Sequence, residues 1–266
     1  MPEPMNRWLG AFVLAAFAFT GMAATPAQFL RESRDVALGG QPEQWQLMWE
    51  GRPKSICGPE DPEMAMTCPC TGFAYGEMGH LSLLRKQGGR VIDRLALGQF
   101  FTDLPADNSD GLAAMQWRPF QMADVDKSGP GLLTRVKARP GPRMMRLADY
   151  DHDGVASEFL VQVSAGPCGH TDFIAVGVSR ANPHLHALGT ASHPGGALAM
   201  PGNAWQALLE ARGETRVTVS PCGDHGSEER NELVLSANAG VISATQKNYS
   251  CPEDGSKEKL LGSEAL

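Results

Sequence analysis

The sequence lacks the short motifs that identify the commonest enzyme chemistries. It contains no H-E-x-x-H zinc motif, no Walker phosphate-binding loop and no G-x-G-x-x-G dinucleotide fingerprint. The segment Val163-Ser164-Ala165-Gly166 falls short of a G-x-S-x-G nucleophile elbow, because Gln162 stands where the first glycine is needed. No motif therefore indicates a particular reaction.

An excess of basic residues is also missing. The chain carries 23 Lys and Arg against 30 Asp and Glu, which gives a formal net charge of −7. An acidic protein without a basic stripe is poorly suited to the phosphate backbone of DNA or RNA. We therefore expect no nucleic-acid partner.

Long apolar runs are absent except at the N-terminus. Asn6-Arg7 precedes an apolar run from Trp8 to Phe19, and Gly21-Met22-Ala23 supplies the small residues of a cleavage site. This order is typical of a secretory signal peptide. The run is shorter than the about 20 residues that span a bilayer. We expect residues 1–23 to be removed, no transmembrane segment after cleavage, and a periplasmic or secreted protein.

The six cysteines all follow the predicted cleavage site. They are Cys57, Cys68, Cys70, Cys168, Cys222 and Cys251. An even number of cysteines in an oxidising compartment predicts disulfides. Three lie before residue 100 and three after residue 160, so complete oxidation requires at least one bridge between the two halves.

Sequence alone does not select among the possible disulfide pairings. We expect Cys57 to pair with Cys68 or Cys70, and Cys168 to pair with Cys222. An alternative is a zinc site, because Cys168-Gly-His170 and Cys222-Gly-Asp-His225 together offer two thiolates and two imidazoles.

Turn residues and period-two patterns predict a mainly β, hairpin-rich antiparallel fold, propeller-like or sandwich-like, with disulfides and two short helices. The chain has 30 Gly and 19 Pro, which favour turns and short strands. The predicted helices cover 25–39 and 204–212. Hairpins are predicted over 80–97, 173–188 and 232–245. We divide the mature chain into a β-rich subdomain 24–110 with a Cys-rich loop, a β-rich subdomain 111–251 with an aspartate loop, and a flexible tail 252–266.

The sharpest chemical pattern is Asp149-x-Asp151-x-Asp153-Gly154. Alternating carboxylates on a tight turn can converge on one hard cation, and glycine at the sixth position permits a sharp bend. A weaker copy, Asp124-x-Asp126-x-Ser128-Gly129, precedes it in the chain.

The first of these loops resembles the D-x-D-x-D-G calcium loops of EF-hands and of FG-GAP repeats. The resemblance implies calcium ligands at Asp149, Asp151 and Asp153 and at the backbone carbonyl of Val155. The chain departs from both patterns: Leu160 stands at the twelfth position and Ser157 at the ninth. Glu158, at the tenth, could supply the missing carboxylate if the loop bends differently.

Histidines suggest a second kind of metal site. His184 and His186 would share one face of a strand, and with His170 or His225 they could form a three-histidine zinc site.

These patterns lead to two hypotheses for the function of the protein. The first is an exported non-enzymatic binding or structural protein with a calcium-stabilised loop and an unidentified protein or cell-envelope partner. The second is a periplasmic metal-dependent hydrolase that uses the histidines.

Overall fold

A computed structural model of the chain describes residues 27–59, 70–101, 110–126, 129–166, 170–252 and 256–266, without the side chains of Asp126 and His225. The predicted signal peptide, Cys68 and Cys168 lie outside these ranges. None of the helices within them has the length and apolar character needed to cross a membrane.

The described residues form three antiparallel sheets and four short helices, which confirms the prediction of a mainly β fold. The strands are β1 (Gln28–Leu38), β2 (Gln41–Ile56), β3 (Gly76–Gln87), β4 (Arg90–Ala96), β5 (Ala113–Gln116), β6 (Glu158–Gln162), β7 (Asp172–Gly177), β8 (His186–Ala187), β9 (Met200–Pro201), β10 (Thr215–Ser220), β11 (Glu229–Asn238), β12 (Val241–Ser250) and β13 (Leu260–Ala265). The helices are α1 (Cys70–Phe73), α2 (Ala123–Asp126), α3 (Leu132–Lys137) and α4 (Gly202–Glu210).

The first sheet has the order β1-β2-β3-β4, with β5 also paired to β3. The middle sheet has the order β6-β7-β8, with β9 also paired to β7, and the last sheet has the order β10-β11-β12-β13. The subdomain boundary expected at residue 110 precedes β5, yet β5 belongs to the first sheet. Residues on both sides of that boundary therefore build one sheet.

The middle sheet has a buried face on each side. Val161 of β6 and Ile174 of β7 join Trp45 and the other core residues of the first sheet in one apolar cluster. The opposite face of β7 presents Ala175 to a second cluster, which includes Trp205 of α4 and core residues of β11 and β12. Because side chains alternate along a strand, β7 serves both cores.

The helix predicted over 25–39 is wrong, since these residues contain β1. Gly39 and Gly40 have φ values of +56° and +78° and connect Leu38 to its partner Gln41 in a two-residue hairpin. Positive φ at both turn residues is the conformation that tight hairpins favour. Pairing with β2 thus overrides the local helix propensity. The two glycines expected to end a helix instead form the turn of a hairpin.

Other local predictions agree with the structure. β3 and β4 form the hairpin predicted over 80–97, β7 and β8 that over 173–188, and β11 and β12 that over 232–245. The second predicted helix corresponds to α4. The tail predicted to be flexible instead contributes β13, which pairs with β12.

Two disulfides join cysteines that are close in sequence. Cys57 pairs with Cys70 and Cys222 pairs with Cys251. The first agrees with the prediction, whereas the expected pair of Cys168 with Cys222 is wrong. The second disulfide links the chain after β10 to the end of β12, two segments that the last sheet already holds together.

The four paired cysteines stay within their own halves of the chain. The bridge between the halves that complete oxidation requires stays a prediction, because Cys68 and Cys168 lie outside the described residues.

Candidate metal centre

The aspartate loop is closed at its base by a short antiparallel bridge. The Ala148 amide donates to the Glu158 carbonyl at 2.8 Å, and the Glu158 amide returns a bond to the Ala148 carbonyl at 3.1 Å. The bridge brings the first and last acidic residues of the loop together. His152 and Gly154 adopt positive φ values of 54° and 90°, which turn the chain sharply between them.

Three carboxylates converge inside this loop. One oxygen from each of Asp149, Asp151 and Glu158 lies within 4.8 Å of the others. We call these three residues the acidic cluster. Asp151 is 1% exposed and Glu158 is fully buried. Glu158 therefore joins the cluster from the tenth position, which neither calcium-loop pattern uses, because Glu158 begins β6 directly opposite the start of the loop.

Hydrogen bonds hold the cluster but leave two of its oxygens unused. Asp149 accepts from the Gly154 amide, Asp151 accepts from the Asp153 amide, and Glu158 accepts from the Tyr150 amide, at 2.9–3.0 Å. Among the described residues, Asp149 Oδ1 and Asp151 Oδ2 are buried without any hydrogen-bond partner. Buried polar atoms are normally satisfied, so these two oxygens are positioned for a ligand that the protein does not supply.

Two residues that the sequence pattern assigned to the metal have other contacts. Asp153 accepts from the Val155 amide at 2.7 Å and from the Arg180 amide at 2.6 Å, and it is not a member of the cluster. The Val155 carbonyl lies 3.4 Å from the Ser157 hydroxyl. The hydrogen bonds of the Asp153 carboxylate thus stabilise the loop and connect it to Arg180, which follows β7.

The electrostatics of the cluster are unfavourable without a cation. Burial raises the pKa of Glu158 to about 8, and the charges of Asp151 and Asp153 add to this effect. Burial likewise raises the pKa of Asp151 to about 6, with Asp153 and Asp149 contributing repulsion. No Lys or Arg in the described part of the chain forms an ion pair with the cluster.

The second aspartate turn has a different arrangement. Asp124 is buried in α2, and the Arg139 guanidinium binds both of its carboxylate oxygens. These bonds hold the pKa of Asp124 below its usual value. The Tyr75 hydroxyl also donates to Asp124, at 3.1 Å. Arg139 therefore provides the positive charge that a metal would otherwise bring.

The histidines do not assemble into the predicted site among the described residues. His170 lies 3.8 Å from Asp224, whereas His184 lies 3.6 Å from Asp93. β8 begins only at His186, so His184 and His186 do not share a strand face. The side chain of His225 is outside the described residues. Cys222 is bonded to Cys251, which removes it as a thiolate ligand of the alternative zinc site.

No protein-family model, curated protein or solved structure matches the chain. The function must therefore be inferred from the residues and their geometry.

We predict that the metal-free protein loses stability as the pH rises from about 5 to 8. The pKa of Glu158 is about 8 in the folded protein and 4.5 ordinarily, so the folded state binds more protons than the unfolded state in this range. The free energy of unfolding must then fall with rising pH. Urea unfolding in a chelator at pH 5, 6.5 and 8 measures this trend.

Glu158→Gln provides the matched control, because it removes the titrating carboxyl while keeping its size. The variant should show a shallower fall across the same pH range. An equal slope in the two proteins would contradict the assignment of the pH dependence to Glu158.

Proposed function

We propose that this chain is an exported, non-enzymatic binding or structural protein in which one calcium ion stabilises the aspartate loop. One observation carries the proposal: Asp151 and Glu158 of the acidic cluster are buried, and no Lys or Arg of the described residues forms an ion pair with the cluster. The buried carboxylates of Glu43 and Asp124, by contrast, each form an ion pair with an arginine. A buried, uncompensated carboxylate is costly, and a bound cation would remove that cost.

The chemistry of the cluster favours calcium. All three side chains offer carboxylate oxygens, which are the donors that hard divalent cations prefer. No His or Cys of the described residues belongs to the cluster, so that part of the chain offers it none of the nitrogen and sulfur ligands typical of zinc. Magnesium demands a strict octahedron and retains several waters, whereas calcium tolerates irregular, largely dehydrated sites. The nearly complete burial of Asp151 and Glu158 therefore supports calcium.

Calcium would also support contacts between the middle and last sheets. The turn of the β11–β12 hairpin docks on the loop: the Gly240 amide donates to the Asp151 carbonyl at 2.9 Å, and the Ala239 amide donates to the His152 carbonyl at 3.1 Å. A cation that fixes the backbone at Asp151 would thereby fix the hairpin. This role is structural, because the unpartnered oxygens are shielded from solvent.

Two features support an exported location. The N-terminal apolar run with its small-residue exit is typical of a secretory signal. The two disulfides fit an oxidising compartment. Extracellular calcium modules commonly bind with dissociation constants of about 10⁻⁴–10⁻³ M, which are adequate where calcium is abundant.

We expect calcium to raise the Tm of the mature protein. A ligand that binds only the folded state stabilises it by about 2.7 kcal/mol at 100 times its Kd. For a chain of this size that corresponds to roughly 5–10 °C. Differential scanning calorimetry in calcium and in chelator measures the increment, and identical melts would refute the calcium site.

Asp151→Asn should abolish most of this increment while keeping the metal-free Tm at least as high as that of the wild type. The amide retains an oxygen for the Asp153 amide but carries no charge that needs a cation. Asp124→Asn is the matched control in the other aspartate turn. It should lower the Tm in both buffers by weakening the ion pair with Arg139, and keep the full calcium increment. Loss of the increment in both variants would indicate general damage instead of a specific site.

A further inference from the structure

A cavity of about 450 Å³ opens beside the aspartate loop. We call it the hairpin cavity. Its walls come from Ser179, Ala181 and Asn182 after β7, from residues 188–191 after β8, and from Gly240–Ile242 at the β11–β12 turn. Its volume lies within the range of about 300–1,000 Å³ that is usual for small-molecule sites.

Two residues that line the cavity carry hydrogen-bond donors that have no acceptor among the described residues. Ser179 Oγ accepts from the Asn182 amide at 3.1 Å, and Asn182 Oδ1 accepts from the His184 amide at 3.1 Å. These bonds use acceptor positions only. Among the described residues, no acceptor takes the hydroxyl hydrogen of Ser179 or the side-chain amide hydrogens of Asn182, so these remain donors for a ligand.

His186 adds an acceptor to the same cavity. Its Nδ1 lies 2.8 Å from the His184 carbonyl oxygen. Because a carbonyl can only accept, Nδ1 must carry the proton. In the neutral ring this leaves Nε2 with a lone pair, so the imidazole accepts a hydrogen bond there.

The other residues that line the cavity are apolar or carry polar groups that already have partners in the protein. Leu188, Val241 and Ile242 line the cavity, and no Lys or Arg is among its lining residues. Thr190 also lines it, but its hydroxyl already donates to the Leu266 carbonyl. The one carboxylate present, that of Asp151, is buried in the acidic cluster. Uncharged donors and an acceptor beside aliphatic surface suit a neutral ligand that has both hydroxyl groups and C–H faces.

We propose that the hairpin cavity binds a small neutral polyhydroxyl compound, such as a monosaccharide. The proposal rests on the binding role put forward above and names the class of ligand. Hydroxyl groups would accept from Ser179 and Asn182 and donate to His186 Nε2. The aliphatic residues would contact the C–H face of the ring.

Saturation-transfer NMR on the mature chain in calcium tests the proposal. The probes are glucose, galactose, mannose, N-acetylglucosamine and the charged analogue glucuronate. We expect at least one neutral sugar to give a signal that weakens about 5-fold when Asn182→Ala and His186→Ala are combined, as the loss of hydrogen bonds predicts. His80→Ala, on the exposed side of β3, is the matched control and should keep the signal.

Three results would overturn the proposal: no signal from any neutral sugar, a signal from glucuronate alone, or an undiminished signal in the double variant. A cooperative thermal melt of the same samples shows that the double variant is folded. The calcium-induced rise in Tm separates the two hypotheses, because a failed cavity leaves that rise intact, whereas a failed calcium site removes it.

Discussion

The burial of carboxyl groups that have no cationic partner among the described residues is the constraint on which the junction of the two later sheets depends. Asp151 and Glu158 are removed from water at the point where β6 begins and the β11–β12 turn docks. Without a cation, repulsion between these carboxylates opposes the contacts that hold the middle and last sheets together. With one, the same groups would hold in place the backbone that the β11–β12 turn contacts, since attraction between opposite charges is greatest where water is excluded.

The two aspartate turns show how the same local pattern can reach different solutions. In the earlier turn, Arg139 returns from beyond α3 and binds Asp124 with both arms of its guanidinium. In the later turn, the Arg180 guanidinium lies beside Gly154, yet no ion pair between it and the cluster is found among the described residues. Sequence similarity between the turns therefore does not imply a common ligand. What differs between the turns is the positive charge that the rest of the described chain supplies, which pairs with Asp124 but not with the acidic cluster.

Burial of both faces of the middle sheet has a further consequence. β7 must pack against the first sheet through Ile174 and against α4 through Ala175, so either core constrains the other. The Trp205 indole strengthens this arrangement by donating to the Phe173 carbonyl at 2.8 Å. The aspartate loop and the hairpin cavity lie at the edge of this framework, where rigid strands can position loops that carry polar groups.

Local chemistry was enough to predict the hairpins at Gly88-Gly89 and Ala239-Gly240, the helix around Trp205 and the acidic character of the 149–158 loop. Each depends on turn residues or periodicity within a few positions. The helix predicted at 25–39 and the tail predicted at 252–266 were wrong because β1 and β13 exist through pairing with β2 and β12. Three features of the site depend likewise on which segments fold against each other. They are the membership of Glu158 in the cluster, the role of Asp153 as a support of the loop, and the separation of His170 from His184. The positions of charges and turns along the chain could be read from the order of the residues. Which charges meet depends on how the chain folds, because burial and distance are properties of residues far apart in sequence.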